Sequence, residues 1–433
     1  MMASNGVKNM PRAVHMVGIG GIGMSALAQL LKHRGVTVTG SDREESPTTM
    51  LLAVQGIDVT IGHGISIDEK CELLIYSDAI QSDNSERMAA RERGIQQVSY
   101  FEMLGSLSAG IRTVAVSGTH GKTTTTGMLA KILKDCGANP TAIIGSIVRD
   151  FESNFLPGGD DLFVVEACEY RDHLLELSPE ILVITNIELD HTDFFPSLSA
   201  LQNTFRAAVE KVPESGVIIA NPNDPNVATV LKGAKARIVD YTQKAVGSLM
   251  LIGEFNRENA RAALAAAQAV VPLLSQEAAV HSLSEFKGSW RRFEYKGKTL
   301  NGALVYDDYA HHPTAIAKTI AAAREHFPDK SIVVAFHPHL YSRTKTFLNE
   351  FAEALAKADR AIVAPNYAAR EIDDGSISNH ALADLARAKG GEVMAIDSFD
   401  AIRAALETEG EGTLIITMGA GDIYKVAEQI TEE

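Results

Sequence analysis

Cysteine is scarce in this sequence: three residues in 433, Cys71, Cys136 and Cys168, with no C-x-x-C pair. An odd, scattered set of thiols supplies neither a disulfide framework nor a thiolate metal site, and points to a reducing, cytoplasmic setting. Aromatic residues are also few, 6% with a single Trp at position 290. No apolar run reaches the roughly eighteen residues of a membrane span, and the opening MMASNGVKNMP lacks the apolar core of a signal peptide, so no membrane association is expected. Positive charge is in deficit as well. Forty Lys and Arg against fifty-five Asp and Glu leave a formal net charge of −15, which argues against a nucleic-acid partner and requires any phosphate to be held locally.

What is present is ordinary globular composition, 45% hydrophobic and 22% charged, in a chain long enough for about three domains. Short Val/Ile-rich runs alternate with polar or Gly-rich turns and stretches of helical period, the pattern of parallel α/β units whose strands are buried on both faces. Expected strands are 13–17, 36–39, 73–77, 113–117, 162–166, 181–185, 217–220, 303–306, 332–336, 361–364 and 414–417. Two glycine loops each follow a strand and open a helix, so each begins a domain. The expected division is an N-terminal Rossmann-like domain (1–107), a central P-loop ATPase-type α/β domain (108–292) and a C-terminal Rossmann-like domain (293–433).

The first loop, Gly18-Ile19-Gly20-Gly21-Ile22-Gly23, satisfies G-x-G-x-x-G after a strand, with a helix expected over 25–33. Glycines permit a tight turn, and the N–H groups at the helix start favour an anion. Asp42 ends the following strand, where the ribose-binding acid of a dinucleotide site stands. Taken alone, the loop reads as an NAD site or as a turn that only packs helix on strand.

The second loop, Ser117-Gly118-Thr119-His120-Gly121-Lys122-Thr123, precedes a helix expected to run to Asp135 and to stop at Gly137. Its chemistry is that of a P-loop, with amides around a phosphate, a lysine for the terminal phosphates and a hydroxyl for Mg²⁺. The pattern is irregular, because Val116 stands where the first glycine of G-x-x-x-x-G-K-[ST] belongs. Lys122 sets a positive charge at the positive end of a helix, which is unfavourable unless an anion lies there. Glu166 ends the strand 162–166, where an acid can meet a phosphate-bound metal, and Asn186-Ile187-Glu188-Leu189-Asp190-His191 follows the next strand.

In order along the chain, GIGGIGMS, SGTHGKTTTT, VVEACE, TNIELDH, DDYAHHPTAI and HPHLYSRT resemble the Mur ligase family, in its alanine-adding branch. The resemblance spans all three domains and replaces NAD by a UDP-sugar at the first loop. It implies UDP-sugar contacts from Gly18, Gly20, Gly21, Gly23, Met24, Ser25, Asp42, His63 and Ser77. It implies ATP contacts from Gly118, Thr119, His120, Gly121, Lys122, Thr123 and Thr124, from Asn256 and Asn259 of GEFNRENA, and from Asp308. Mg²⁺ would be held by Thr123 and Glu166, and a second ion by His191. Tyr309, His311, His339 and Arg343 match positions for the incoming amino acid and the sugar carboxylate, with Lys122, Glu166, His191, His311 and Arg343 as the catalytic set. The other reading of the paired histidines 311–312 and 337/339 is a zinc site.

The implied reaction is ATP-dependent amide ligation of L-alanine to the carboxylate of UDP-N-acetylmuramate through an acyl phosphate, with hinges near residues 107 and 293. A tripeptide-adding recycling ligase of the same family and an NAD-dependent oxidoreductase are the alternatives. Oligomeric state is left open between a monomer and a weak dimer. Three departures stand out: Phe255 occupies a usual His position, Leu340 occupies a position often filled by Arg, and the 241–253 segment is short. No Lys follows His191 until Lys211, so the carbamoylated lysine of many relatives is not expected.

Overall fold

The structure, a computed structural model, describes residues 10–431 except 63, 65, 66 and 374. It is an α/β protein built on three sheets. The first contains β1 (Ala13–Val17), β2 (Thr37–Asp42), β3 (Asp58–Ile61), β4 (Leu73–Tyr76) and β5 (Gln96–Ser99), all parallel, in the order β3-β2-β1-β4-β5.

The second contains β6 (Arg112–Ser117), β7 (Thr141–Val148), β8 (Ser153–Leu156), β9 (Leu162–Glu166), β10 (Ile181–Ile184), β11 (Val217–Ala220) and β12 (Arg237–Asp240). Its order is β12-β11-β10-β6-β9-β7-β8, parallel except for the hairpin β7–β8. The third contains β13 (Glu294–Lys298), β14 (Leu304–Asp308), β15 (Ser331–Phe336), β16 (Arg360–Val363), β17 (Val393–Ala395) and β18 (Thr413–Met418). It runs β13-β14-β18-β15-β16-β17, with β13 antiparallel to β14.

Central strands are apolar throughout because helices cover both faces. On β15 the alternation sends Ile332, Val334 and Phe336 into one core and Val333 and Ala335 into the other. In the first sheet β1 lies between β2 and β4, and in the second β6 lies between β10 and β9. Each is the strand at which chain order reverses, where an α/β sheet leaves a crevice for a ligand. Both glycine loops leave these strands at their carboxyl ends, and the helices that follow are Ile22–His33 and Lys122–Asp135.

The chain divides into two compact units. One holds residues up to Ile187 with Gln202–Ser248 and Asn259–Lys287, and the other holds Glu188–Leu201, Leu249–Glu258 and Gly288 onward. The first two sheets therefore share one unit, and the compact units do not divide near residue 107. No helix among the described residues is long and apolar enough to cross a membrane.

Candidate active site

At the first loop, Gly18 (φ +77°) turns the chain so that its own N–H and that of Ile19 donate to the Ser41 carbonyl at 2.9 and 3.0 Å. Gly20 N–H donates to Asp42 Oδ2 at 2.8 Å, and Arg43 N–H to Asp42 Oδ1 at 2.7 Å. Asp42 thus holds the loop with one carboxylate oxygen and its own following turn with the other. A Cβ on Gly20 would lie 2.9 Å from Asp42 Oδ2 and 2.7 Å from Thr49 Cγ2, so no side chain fits there. Gly23 is covered by the Tyr100 ring, and Gly21 is the exposed N-cap. Ser77 lies against Gly18 and donates its N–H to the Val17 carbonyl at 3.0 Å. Met24 and Ser25 face inward, with the Ser25 hydroxyl on the Ile22 carbonyl at 3.0 Å. His63 lies outside the described residues.

At the second loop the end of β10 clamps the turn. Asn186 Oδ1 accepts from His120 N–H (2.9 Å) and the Asn186 carbonyl from Thr119 N–H (3.0 Å). Thr185 Oγ1 and Asn186 Nδ2 both donate to the His120 carbonyl, at 2.6 and 3.0 Å. Gly118 (φ +126°) and Gly121 (φ +84°) have no room for a Cβ: the first would run into Thr185, the second into the Asn259 side chain. Asn259 therefore lies beside the loop. Thr124 is buried in the first turn of the helix Lys122–Asp135.

Lys122 Nζ contacts Glu169 Oε1 and Oε2 (3.0 and 2.9 Å) and the carbonyls of Gly118 (2.5 Å) and Thr119 (3.2 Å). The anion demanded by a lysine at a helix N-terminus is thus supplied by the protein's own Glu169, which is fully buried. Burial alone would lower the basicity of Lys122. Glu169 and the neighbouring Cys168 and Glu166 outweigh it and hold the ammonium above its ordinary value. Thr123 Oγ1 donates to Glu166 Oε1 at 2.9 Å, and Gly145 N–H to Glu166 Oε2 at 2.7 Å. A Cβ on Gly145 would sit 2.5 Å from both Glu166 oxygens. A hydroxyl and a carboxylate side by side, in a cradle kept open by a glycine, are the hard oxygen donors that Mg²⁺ takes.

His191 belongs to the second unit, at φ +52°. Its neighbour Asp190 is buried and accepts from Arg343 Nε at 2.8 Å and from His191 N–H at 2.7 Å. Burial opposes the charge on Asp190, but the Arg343 guanidinium and the surrounding imidazoles overcome it and keep the carboxyl well below the usual range. Arg343, itself buried, also reaches His339 Nδ1 at 3.0 Å.

His311 Nδ1 lies 2.9 Å from the Tyr309 carbonyl, and Nε2 lies 3.8 Å from Asp190 Oδ2. Burial and then Arg343 push His311 well below its ordinary pKa and His339 down to about 3, so both are neutral. A neutral His311 donates Nδ1–H to Tyr309 and leaves the Nε2 lone pair open. His312 caps the helix Pro313–His326 through Thr314 N–H, and its Nε2 bonds the Leu189 carbonyl at 3.1 Å. That pattern requires the Nε2–H tautomer and ties His312 to the chain through both ring nitrogens.

Asp308 accepts from Ala310 N–H (2.7 Å) and Phe293 N–H (2.9 Å), and burial pushes its carboxyl up to about 6 against the pull of Arg292. Tyr309 lies under the Arg291 and Arg292 guanidinium groups, 5.3 and 4.9 Å from its ring centre. Asn256 Nδ2 bonds the Ile252 carbonyl at 2.8 Å, and the Phe255 ring packs on Gly253.

Three family models match in chain order: "Mur ligase family, catalytic domain" over residues 13–112, "Mur ligase middle domain" over 116–248 and "Mur ligase, glutamate ligase domain" over 291–421. A relative from Caldanaerobacter subterraneus subsp. tengcongensis, named UDP-N-acetylmuramate–L-alanine ligase, is 38% identical over 98% of both chains. The chain belongs to the Mur ligase family. Another ligase of the same name, from Clostridium novyi, is 37% identical over the whole of both chains. Among solved structures, the UDP-N-acetylmuramate-alanine ligase of Thermotoga maritima superposes with a TM-score of 0.79 at 27% identity, covering 96% of this chain and 98% of that one. The murein peptide ligase of Psychrobacter arcticus gives 0.72 at 25% identity, covering 97% and 100%.

In this Mur ligase several residues inside the motifs VVEACE and TNIELDH stand outside the expected site set. Glu169 pairs with Lys122, Asp190 pairs with Arg343, and Thr185 with Asn186 forms the clamp on the second glycine loop. Their signal in the sequence is membership of those motifs: Glu169 ends VVEACE, and Thr185, Asn186 and Asp190 belong to TNIELDH. Leu340, at φ +68°, is buried and caps the helix Tyr341–Thr346, with its N–H on the Tyr367 carbonyl at 2.9 Å. Lys211 Nζ is tied to the Leu175 carbonyl. The short 241–253 segment holds a single 3-10 turn, Tyr241–Gln243, and no strand.

Proposed function

We propose that this Mur ligase joins L-alanine to the carboxylate of UDP-N-acetylmuramate at the expense of ATP, releasing ADP and phosphate, in the cytoplasm. The observation that carries the reading is end-to-end likeness, at 38 and 37% identity, to ligases bearing that name. The murein peptide ligase likeness is weaker in both identity and superposition, which favours a single amino acid over a tripeptide as acceptor. An NAD-dependent oxidoreductase leaves Lys122, Glu166 and Glu169 without a task.

The division of labour follows three domains: 1–107 for the UDP-sugar, 108–292 for ATP and 293–433 for the acceptor. A carboxylate does not acylate an amine because an oxide is a hopeless leaving group. Its oxygen therefore attacks the γ-phosphorus of ATP, ADP departs, and an acyl phosphate results. Lys122 meets the charge that develops on the phosphoryl oxygens, and the loop Gly118 to Thr124 is assigned to the ATP phosphates. Thr123 and Glu166 would hold one Mg²⁺ and His191 a second ion, which would neutralise charge on the phosphates when bound. Asn256, Asn259 and Asp308 are assigned to the rest of the nucleotide.

The loop Gly18 to Gly23, with Met24, Ser25, Asp42, His63 and Ser77, is assigned to the UDP-sugar. Tyr309, His311, His339 and Arg343 are assigned to the acceptor. The alanine amine attacks the acyl carbon, loses a proton, and phosphate leaves from the tetrahedral intermediate. With its basicity pushed down by burial and Arg343, His311 is suited to accept a hydrogen bond from that amine and orient it, not to retain its proton.

Hydroxylamine tests the intermediate. With ATP, Mg²⁺, UDP-N-acetylmuramate and hydroxylamine in place of alanine, the expected product is the hydroxamate of the nucleotide sugar. ATP turnover without hydroxamate would contradict the acyl-phosphate route.

A further inference from the structure

Between the helix Ile22–His33, which opens at the glycine loop, and the hairpin β7–β8 of the second sheet lies a buried polar cluster that the ligase chemistry does not use. Asn154, on β8 and fully buried, donates from Nδ2 to the Ile22 carbonyl (2.5 Å) and to Ser25 Oγ (2.9 Å). Its Oδ1 accepts from Gln29 Nε2 at 2.8 Å. Gln29, also buried, donates again to the Ser25 carbonyl (3.2 Å) and accepts at Oε1 from Ser153 Oγ and Gln55 Nε2, both at 2.8 Å. Every donor and acceptor of both amides is matched. Sliding the helix along the hairpin would strand them at a depth where unpaired polar atoms are costly, so the cluster admits one register.

The same hairpin reaches the phosphate site. On β7, Gly145 N–H holds Glu166 Oε2 at 2.7 Å, and Glu166 Oε1 meets Thr123. One strand of the hairpin thus grips the first turn of the helix behind the glycine loop, and the other grips the carboxylate beside the P-loop.

We propose that Asn154 is a positioning residue: it locks the glycine-loop helix onto β7–β8 and so registers the UDP-sugar against the phosphate site. The inference rests on the reading of the glycine loop as the UDP-sugar site. Attack of the sugar carboxylate on the γ-phosphorus requires an approach of about 3–3.5 Å, and an error of about 1 Å costs roughly a hundredfold in rate. A joint made of directional hydrogen bonds holds that tolerance where apolar packing would slip.

The test is Asn154→Asp, which keeps size and one acceptor but deletes both N–H donors and sets an oxygen against the Ile22 carbonyl. In steady-state assays the KM for UDP-N-acetylmuramate should rise roughly tenfold and kcat should fall, while the KM for ATP stays within about twofold and the thermal transition remains cooperative. Unchanged constants in a folded variant, or equal rises in both KM values, would overturn the proposal. If Asn154→Asp does not fold, Gln29→Met decides: it leaves both Asn154 donors in place and removes the partner of Oδ1. The same pattern at smaller amplitude supports the registering role, and wild-type constants contradict it. Calorimetry on the wild-type enzyme separates the two levels, because failure to bind UDP-N-acetylmuramate at all removes the site reading and the proposal with it.

Discussion

The Lys122 ammonium has three N–H bonds, and the protein already provides an acceptor for each: the Gly118 and Thr119 carbonyls and the Glu169 carboxylate. A phosphate entering the loop must displace or share one of them. The positive charge is kept in place by Glu169, so the lysine is ready for an anionic ligand without being a lone buried cation. Two predictions belong here. Lys122→Ala should retain fold and UDP-sugar binding and lose turnover by orders of magnitude, read as phosphate release; release at the wild-type rate would contradict the assignment. Glu169→Gln removes the countercharge from a buried lysine, and should lower kcat/KM for ATP by about tenfold or more while UDP-sugar affinity, read by calorimetry, is unchanged.

Among elements, the phosphate loop depends on the end of a neighbouring strand. Gly118→Ala combines a backbone at φ +126° with a Cβ directed into Thr185 and the Asn186 carbonyl, and should cost about 2 kcal/mol or more in thermal or denaturant unfolding, with ATP binding lost. Asn186→Ala removes a two-way clamp on His120 and should cost about 1–3 kcal/mol.

The strands that the sequence revealed and those it concealed divide by position. All eleven Val/Ile runs read as strands are strands, with ends shifted by up to three residues. The six strands at the sheet edges, β3, β5, β8, β12, β13 and β17, were not anticipated. Edges have one open flank and carry sequences such as Gln96-Gln97-Val98-Ser99 or Glu294-Tyr295-Lys296-Gly297-Lys298, which lack the continuous apolar signal of a strand covered on both faces. β7 carries a weaker strand signal because Gly145 and Ser146 interrupt its apolar run. At the site the same rule applies. Lys122, Thr123, Glu166 and Asn186 stand in motifs, but the bonds of Asn154 to Ile22 and of Asn186 to His120 join segments more than sixty residues apart, a pairing that no local spacing encodes.

For the whole molecule, the net charge of −15 is compatible with anionic substrates because the cations are few and placed. Acid should destabilise the fold in a defined window. Burial pushes His337 down to about 4 and His339 to about 3, while in the unfolded chain a histidine titrates near about 6.5. These folded-state values are depressed, so their contribution is present above the unfolded pKa and is lost as pH falls toward the folded values. Asp308, raised to about 6, and Asp307, also raised by burial, work in the opposite sense over part of the range, two carboxylates against the three depressed imidazoles of His311, His337 and His339. The melting temperature should therefore decline from about pH 6.5 to about pH 4, and His337→Gln should make the decline shallower; an equal slope in the variant would show that His337 plays no part.

What the enzyme accepts at the end of the reaction defines its function. Phosphate release with ATP, Mg²⁺ and UDP-N-acetylmuramate, measured while the acceptor is changed among L-alanine, glycine, L-serine and the stem tripeptide, tests it most directly. Stimulation strongest with L-alanine is the predicted result, and stimulation by the tripeptide alone would contradict it.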